Sequence, residues 1–178
     1  MRLDGDSNVR LEYFEGDIFA MAGGTPAHSE LGLAVGSELR SQLKGKPCRV
    51  YNSDLRIRVP LTGLATYPDV SVVCGKLESD PEDKNTVVNP VVLVEVLSDS
   101  TEEFDRGTKA ENYRLIPTLK EYVLVSHRER LIEVFRRGER NEWTRTEARM
   151  KTTARLESID CSLDVDRIYD GIELYPSG

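Results

Sequence analysis

The run Val91-Val92-Leu93-Val94-Glu95-Val96-Leu97 constrains the fold more than any other stretch of the chain. It is too short to span a membrane, and as a strand it is apolar on both faces. Strands of that kind sit inside a sheet, covered above and below. Glu95 interrupts the pattern. A carboxylate in such a place is costly unless it meets a basic side chain, a metal ion or a proton. The run therefore predicts a central strand and, at Glu95, a carboxylate that needs a partner.

The remaining periodicities build layers around that strand. Residues 10–22 alternate weakly about Glu15-Gly16-Asp17 and read as a hairpin. Thr25-Pro26 supplies an N-cap and a first-turn proline. Leu31, Val35, Leu39 and Leu43 then recur at four-residue spacing, until Lys44-Gly45-Lys46-Pro47 stops the helix. Strands are expected at Arg49–Tyr51, at Leu55–Val59, where Arg56 and Arg58 alternate with apolar residues, and at Tyr67–Cys74. The acidic stretch Glu78–Asn85 reads as a loop. A helix is predicted from Glu102 to Ile116, ended by Pro117. Three antiparallel strands follow at Leu119–Val125, Leu131–Phe135 and Trp143–Thr146, and a short helix at Asp164–Tyr169. The pattern is α/β: one mixed central sheet flanked by helices, in a single domain over 1–178.

Composition narrows the function. The net charge of −7 argues against nonspecific coating of nucleic acid. The charge is uneven, however: residues 78–105 hold nine acids and one base, whereas residues 128–155 hold nine bases and five acids. An acidic region can hold a divalent cation and a basic one can meet phosphate. Cys48, Cys74 and Cys161 form no CxxC pair and are odd in number, so buried reduced thiols are expected rather than a disulfide framework or a zinc site. The N-terminus has no apolar segment of the secretory kind, which points to the cytoplasm and to no membrane partner. No glycine-rich phosphate loop, HExxH or GxSxG is present.

Pro68-Asp69 sits inside the strand that runs on through Val70, Val72 and Val73, and proline there marks an edge, a bulge or a strand start. Neighbouring strands lie about 5 Å apart. If the Asp69 and Glu95 strands are adjacent, the two carboxylates would share one cation, and Mg²⁺ (or Mn²⁺) suits two carboxylates completed by water and phosphate.

Pro-Asp in one strand, then Val-Glu-Val-Leu-Ser in the next, resembles the PD-(D/E)XK nuclease superfamily. The chain is most similar to a bacterial Uma-type branch of restriction-endonuclease-like proteins. The resemblance runs from about residue 10 to 170. It rests on Glu12 and Gly16, His28, Tyr67–Val70, Val94–Ser98, then Asp105, Lys109 and Tyr113, and finally Glu121–Val125. It implies a restriction-endonuclease-like fold and hydrolysis of DNA phosphodiester bonds. Two cuts or a two-sided grip on a duplex call for two sites, hence a homodimer is expected. Asp69, Glu95 and the backbone carbonyl of Val96 would hold the metal, Lys109 would orient the attacking water, and Glu12 and His28 would be accessory residues of the site. The superfamily places its lysine two residues after the glutamate, where this chain has Leu97, so Lys109 on the following helix is the substitute. Its ordinary alternative role is a surface pair with Asp105, worth a few tenths of a kcal/mol. Asp54, a candidate further ligand, reads rather as a turn residue, and Tyr113, which could hydrogen-bond in the site, reads rather as core. The competing functional class is a nuclease-fold protein that binds nucleic acid or acts as a scaffold without cutting.

Overall fold

The computed structural model describes residues 11–14, 17–20 and 24–174. Strands β1 (Leu11–Phe14) and β2 (Asp17–Ala20) pair antiparallel, as the alternation predicts. The turn at Glu15-Gly16 lies outside the described residues. Helix α1 (Pro26–Gln42) begins where Thr25 Oγ1 accepts from the His28 N–H at 3.2 Å. Its stripe Leu31, Val35 and Leu39, continued by Leu43, is buried. Each such side chain contributes about 1.5–3 kcal/mol relative to exposure.

Two layers of strands follow. The first sheet has the order β12-β11-β10-β9-β6-β3. Its strands are β3 (Cys48–Asn52), β6 (Val70–Cys74), β9 (Val92–Val96), β10 (Glu121–Val125), β11 (Leu131–Arg137) and β12 (Trp143–Arg149). All neighbours are antiparallel except β9 and β10. β9 is the Glu95 strand, and every one of its five residues is buried. It has β10 on one side and β6 on the other, the interior position its two apolar faces require. Val92, Val94 and Val96 enter the core shared with α1, while Leu93 and Leu97 enter the core on the opposite face.

The second sheet was not expected from the sequence. It has the order β2-β1-β5-β4-β8-β7, with β4 (Arg56–Arg58), β5 (Ala65–Thr66), β7 (Ser79–Asp80) and β8 (Asp83–Val87). So the acidic stretch 78–85, read as a loop, contributes two strands. Arg56 and Arg58 explain this, because they reach Asp83 and Asp80 and neutralise part of the acidic run. Two-residue strands such as β5 and β7 carry no readable period. A small pair, β13 (Thr153–Leu156) with β14 (Cys161–Asp164), was also missed, and α4 (Val165–Ile168) follows it. Asp54 takes the turn role expected of it, its N–H donating to Asn52 Oδ1 at 3.2 Å.

Two further expectations are corrected. The helix predicted over 102–116 is broken into α2 (Glu102–Phe104), a π-helical turn over Asp105–Lys109 and α3 (Ala110–Tyr113), with Gly107 non-helical at the kink. Glycine is a weak helix former, and π turns recur at functional sites. Cys48 and Cys74 are joined by a disulfide, not reduced. They face each other across β3 and β6, and Gly75 N–H donates to Pro47 O at 2.8 Å just beyond them. The cysteines therefore occupy a non-hydrogen-bonded pair, where facing side chains come closest. A strand register 26 residues apart in sequence is not visible to cysteine counting. Cys161 alone is free and buried, and burial raises its thiol pKa. No helix among the described residues is long and apolar enough to cross a membrane.

Candidate active site

The β6–β9 register pairs Val70 with Val94, and Asp69 and Glu95 are the residues next to that pair on the two chain segments. Asp69 stands at the entry to β6, just after Pro68. Proline there forfeits no ladder hydrogen bond. In place of a ladder carbonyl, Asp69 Oδ2 accepts the Val96 N–H at 2.7 Å. The same oxygen lies 3.4 Å from His28 Nε2 on the first turn of α1. That helix passes close by: a Cβ added at Gly32 would sit 3.9 Å from the Asp69 Cβ. His28 has its pKa raised, first by the hydrogen bond with Asp69, and further by a hydrogen bond with the Val96 backbone. Asp69, His28 and Val96 thus form one contact group.

Glu95 shares the face of β9 that carries Leu93 and Leu97, over which the crossover from β9 to β10 passes. Parallel neighbours need such a crossover, and here it carries the charged residues. Lys109 Nζ lies 3.3 Å from Glu95 Oε1 and 2.7 Å from Asp105 Oδ1. It is 3 % exposed, Glu95 4 % and Asp105 2 %. The Asp105–Lys109 contact is therefore not the solvated surface pair that its spacing also allowed. The ammonium also sits over the Phe104 ring, 5.4 Å from its centroid. The Tyr122 hydroxyl donates to the Asp105 carbonyl at 3.0 Å, which anchors the π turn against β10. Burial first, then the nearby Glu95 carboxylate, pushes the Tyr122 pKa well up.

Leu97 shares the Glu95 face and is 1 % exposed in an apolar core. The position that holds lysine in the superfamily pattern is a packing position here. The ammonium reaches Glu95 from the crossover instead. Glu12 lies in β1, which pairs with β5 at Tyr13 and Ala65, next to Thr66 and the segment leading to Asp69. Its side chain lies outside the described residues. Among those residues no group of three or more histidines, cysteines, aspartates or glutamates is arranged to hold a metal.

One contributor, Thr66, escaped the sequence reading. Tyr113, for which both a site hydrogen bond and a core role were open, is fully buried and its hydroxyl donates to Glu95 Oε1 at 2.8 Å. Thr66 Oγ1 lies 2.7 Å from that same hydroxyl. The four-residue spacing of Asp105, Lys109 and Tyr113 was the signal for the tyrosine. No sequence signal marks Thr66.

Known proteins resemble the chain over most of its length. The model of the Uma2 family, described as "Putative restriction endonuclease", matches residues 1–166. Two Synechocystis proteins are similar over most of the chain. The uncharacterized protein slr1290 is 37% identical over 164 residues, 90% of this chain and 84% of its own. The uncharacterized protein sll1609 is 29% identical over 147 residues, 83% of each chain. A solved structure, that of a putative nuclease belonging to DUF820 from Anabaena variabilis, superposes with a TM-score of 0.73. It covers 89% of both chains at 17% identity, which shows the shared fold.

Proposed function

Because the chain belongs to the Uma2 family of putative restriction endonucleases, we propose that it hydrolyses DNA phosphodiester bonds in a divalent-metal-dependent reaction. One observation carries the reading. Asp69, at the entry to β6, holds the Val96 N–H next to Glu95 on the adjacent strand, and a buried lysine is delivered onto Glu95 from the crossover. The donor set suits Mg²⁺ or Mn²⁺, which favour carboxylate, carbonyl and water oxygens over nitrogen and sulfur. Both recorded contacts of Asp69 fall on Oδ2, so they leave Oδ1 outside them.

Asp69, Glu95 and the Val96 carbonyl are the residues that would hold the ion. When bound, it would lower the pKa of a coordinated water and offset charge on the phosphate. The chain's own groups do the rest. Lys109 presents an ammonium beside Glu95, suited to orienting a water or countering charge on the phosphate. His28 and the Val96 N–H fix the Asp69 carboxylate. Glu12 is proposed as an accessory acid from the neighbouring sheet. Duplex DNA has two strands to cut, so the working unit is proposed to be a homodimer.

A second reading is a nuclease fold that binds without cutting. It is favoured by the engagement of Lys109 with two carboxylates and by the burial of Leu97. Titrating Mg²⁺ and Mn²⁺ while following thermal unfolding tests the metal site common to the cleavage reading. Stabilisation of the wild type but not of Asp69→Ala supports it. No stabilisation of either folded protein at millimolar metal refutes it.

A further inference from the structure

We infer that Tyr113, held by Thr66, is the positioning residue that sets the Glu95 carboxylate for metal binding. The inference rests on the metal-site reading given above and adds a role for two residues outside the ligand set. Its basis is a chain of three buried groups. Glu95 is 4 % exposed, and Thr66 and Tyr113 are fully buried. The Glu95 carboxylate can only accept, so the single phenolic proton of Tyr113 points to Oε1 at 2.8 Å. The Thr66 hydroxyl, 2.7 Å away, must then donate to the phenolic oxygen. With Glu95 ionised, the order runs from Thr66 to Tyr113 to Glu95.

The geometry ties together parts that the metal would otherwise have to hold alone. Thr66 sits in β5, pairs with Ile57 of β4, and precedes Asp69 by three residues. Tyr113 lies on the crossover one helical step beyond Lys109. Lys109 and Tyr113 both meet Glu95 on Oε1. The clamp therefore links the segment that leads to Asp69 with the Glu95 carboxylate of the adjacent strand. Packing alone does not account for the hydroxyl. The Tyr113 ring stacks edge-on against Tyr122 at 5.3 Å, and phenylalanine would fill that space equally well.

Partners that orient metal ligands typically change affinity by about 10–100-fold when removed. The test is calorimetric titration of Mn²⁺ into wild type, Tyr113→Phe, Thr66→Val and the double variant. Tyr169→Phe is the control: it too removes a buried hydroxyl, one that donates to Ser126 O and Leu131 O in the opposite core. Tyr113→Phe should bind Mn²⁺ roughly tenfold or more weakly. Thr66→Val should lose less, and the double variant no more than Tyr113→Phe, because the contacts act in series. Tyr169→Phe should lower the unfolding temperature and leave affinity unchanged. Wild-type affinity in Tyr113→Phe overturns the positioning role and leaves the carboxylate site standing. Additive losses in the double variant overturn the part assigned to Thr66. No Mn²⁺ binding by the wild type overturns the metal site and the role built on it together. Thr66→Val preserves side-chain volume and supplies the same comparison if Tyr113→Phe fails to fold.

Discussion

Replacing Lys109 by methionine removes an ammonium and keeps most of its apolar stem. Lys109 is 3 % exposed and lies within 3.3 Å of Glu95 and 2.7 Å of Asp105, themselves 4 % and 2 % exposed. The substitution leaves two buried carboxylates facing one another without that cation. Breaking a buried ion pair by removing one partner costs about 3–5 kcal/mol, because a charge stays buried and uncompensated. For a chain of this size each kcal/mol shifts the unfolding temperature by about 2–4 °C, so the expected fall is roughly 6–20 °C. Urea and thermal unfolding of Lys109→Met measure it. Removing the Asp105 charge as well, in Lys109→Met/Asp105→Asn, should recover part of the loss, a coupling that independent sites do not show. Lys46→Met, which breaks an exposed contact with Asp160, should leave stability nearly unchanged. If Lys109→Met loses under about 1 kcal/mol, the value for a surface pair, the lysine is solvated and the buried triad is wrong.

Three further outcomes follow from other parts of the fold. Reducing the Cys48–Cys74 disulfide, which spans 26 residues, should destabilise the chain by about 3–4 kcal/mol on the chain-entropy account; unfolding with and without reductant measures this. In metal-free buffer the His28 pKa should lie above its ordinary value of 6.5. The stability gained from the His28–Asp69 contact is then fully present below pH 6.5 and lost as pH rises through the folded-state pKa; the stability difference between wild type and His28→Gln across pH checks the sign. Leu97→Lys, which restores the residue of the superfamily pattern, should destabilise the protein rather than help it. Leu97 is buried among Leu93, Ala110 and Leu124, and a comparison of unfolding temperatures decides the point.

The site was more legible in the sequence than the sheet arrangement around it. Glu95 stood out because it broke a strand apolar on both faces. Asp69 stood out because proline preceded it at a strand start. Lys109 followed from four-residue spacing on the crossover. These signals are local and have physical causes that survive folding. The second sheet was hidden because its strands are two to five residues long and held together by Arg56 and Arg58 reaching acids that look like loop residues. The disulfide was hidden because it depends on a register between β3 and β6, not on spacing. The break at Gly107 was hidden by a periodicity that continues across it, and it matters because it carries Asp105 and Lys109. Thr66 shows the same limit: its role comes from Tyr113 and Glu95, 47 and 29 residues away in the chain.

The most direct measurement is cleavage of supercoiled plasmid DNA by the purified chain, with Mg²⁺ or Mn²⁺ and with chelator, for wild type, Asp69→Asn and Lys109→Met. Nicked or linear product that needs metal, vanishes in Asp69→Asn and falls sharply in folded Lys109→Met is the predicted result. Uncut plasmid with the wild type under every metal condition, or equal cutting by Asp69→Asn, would contradict it.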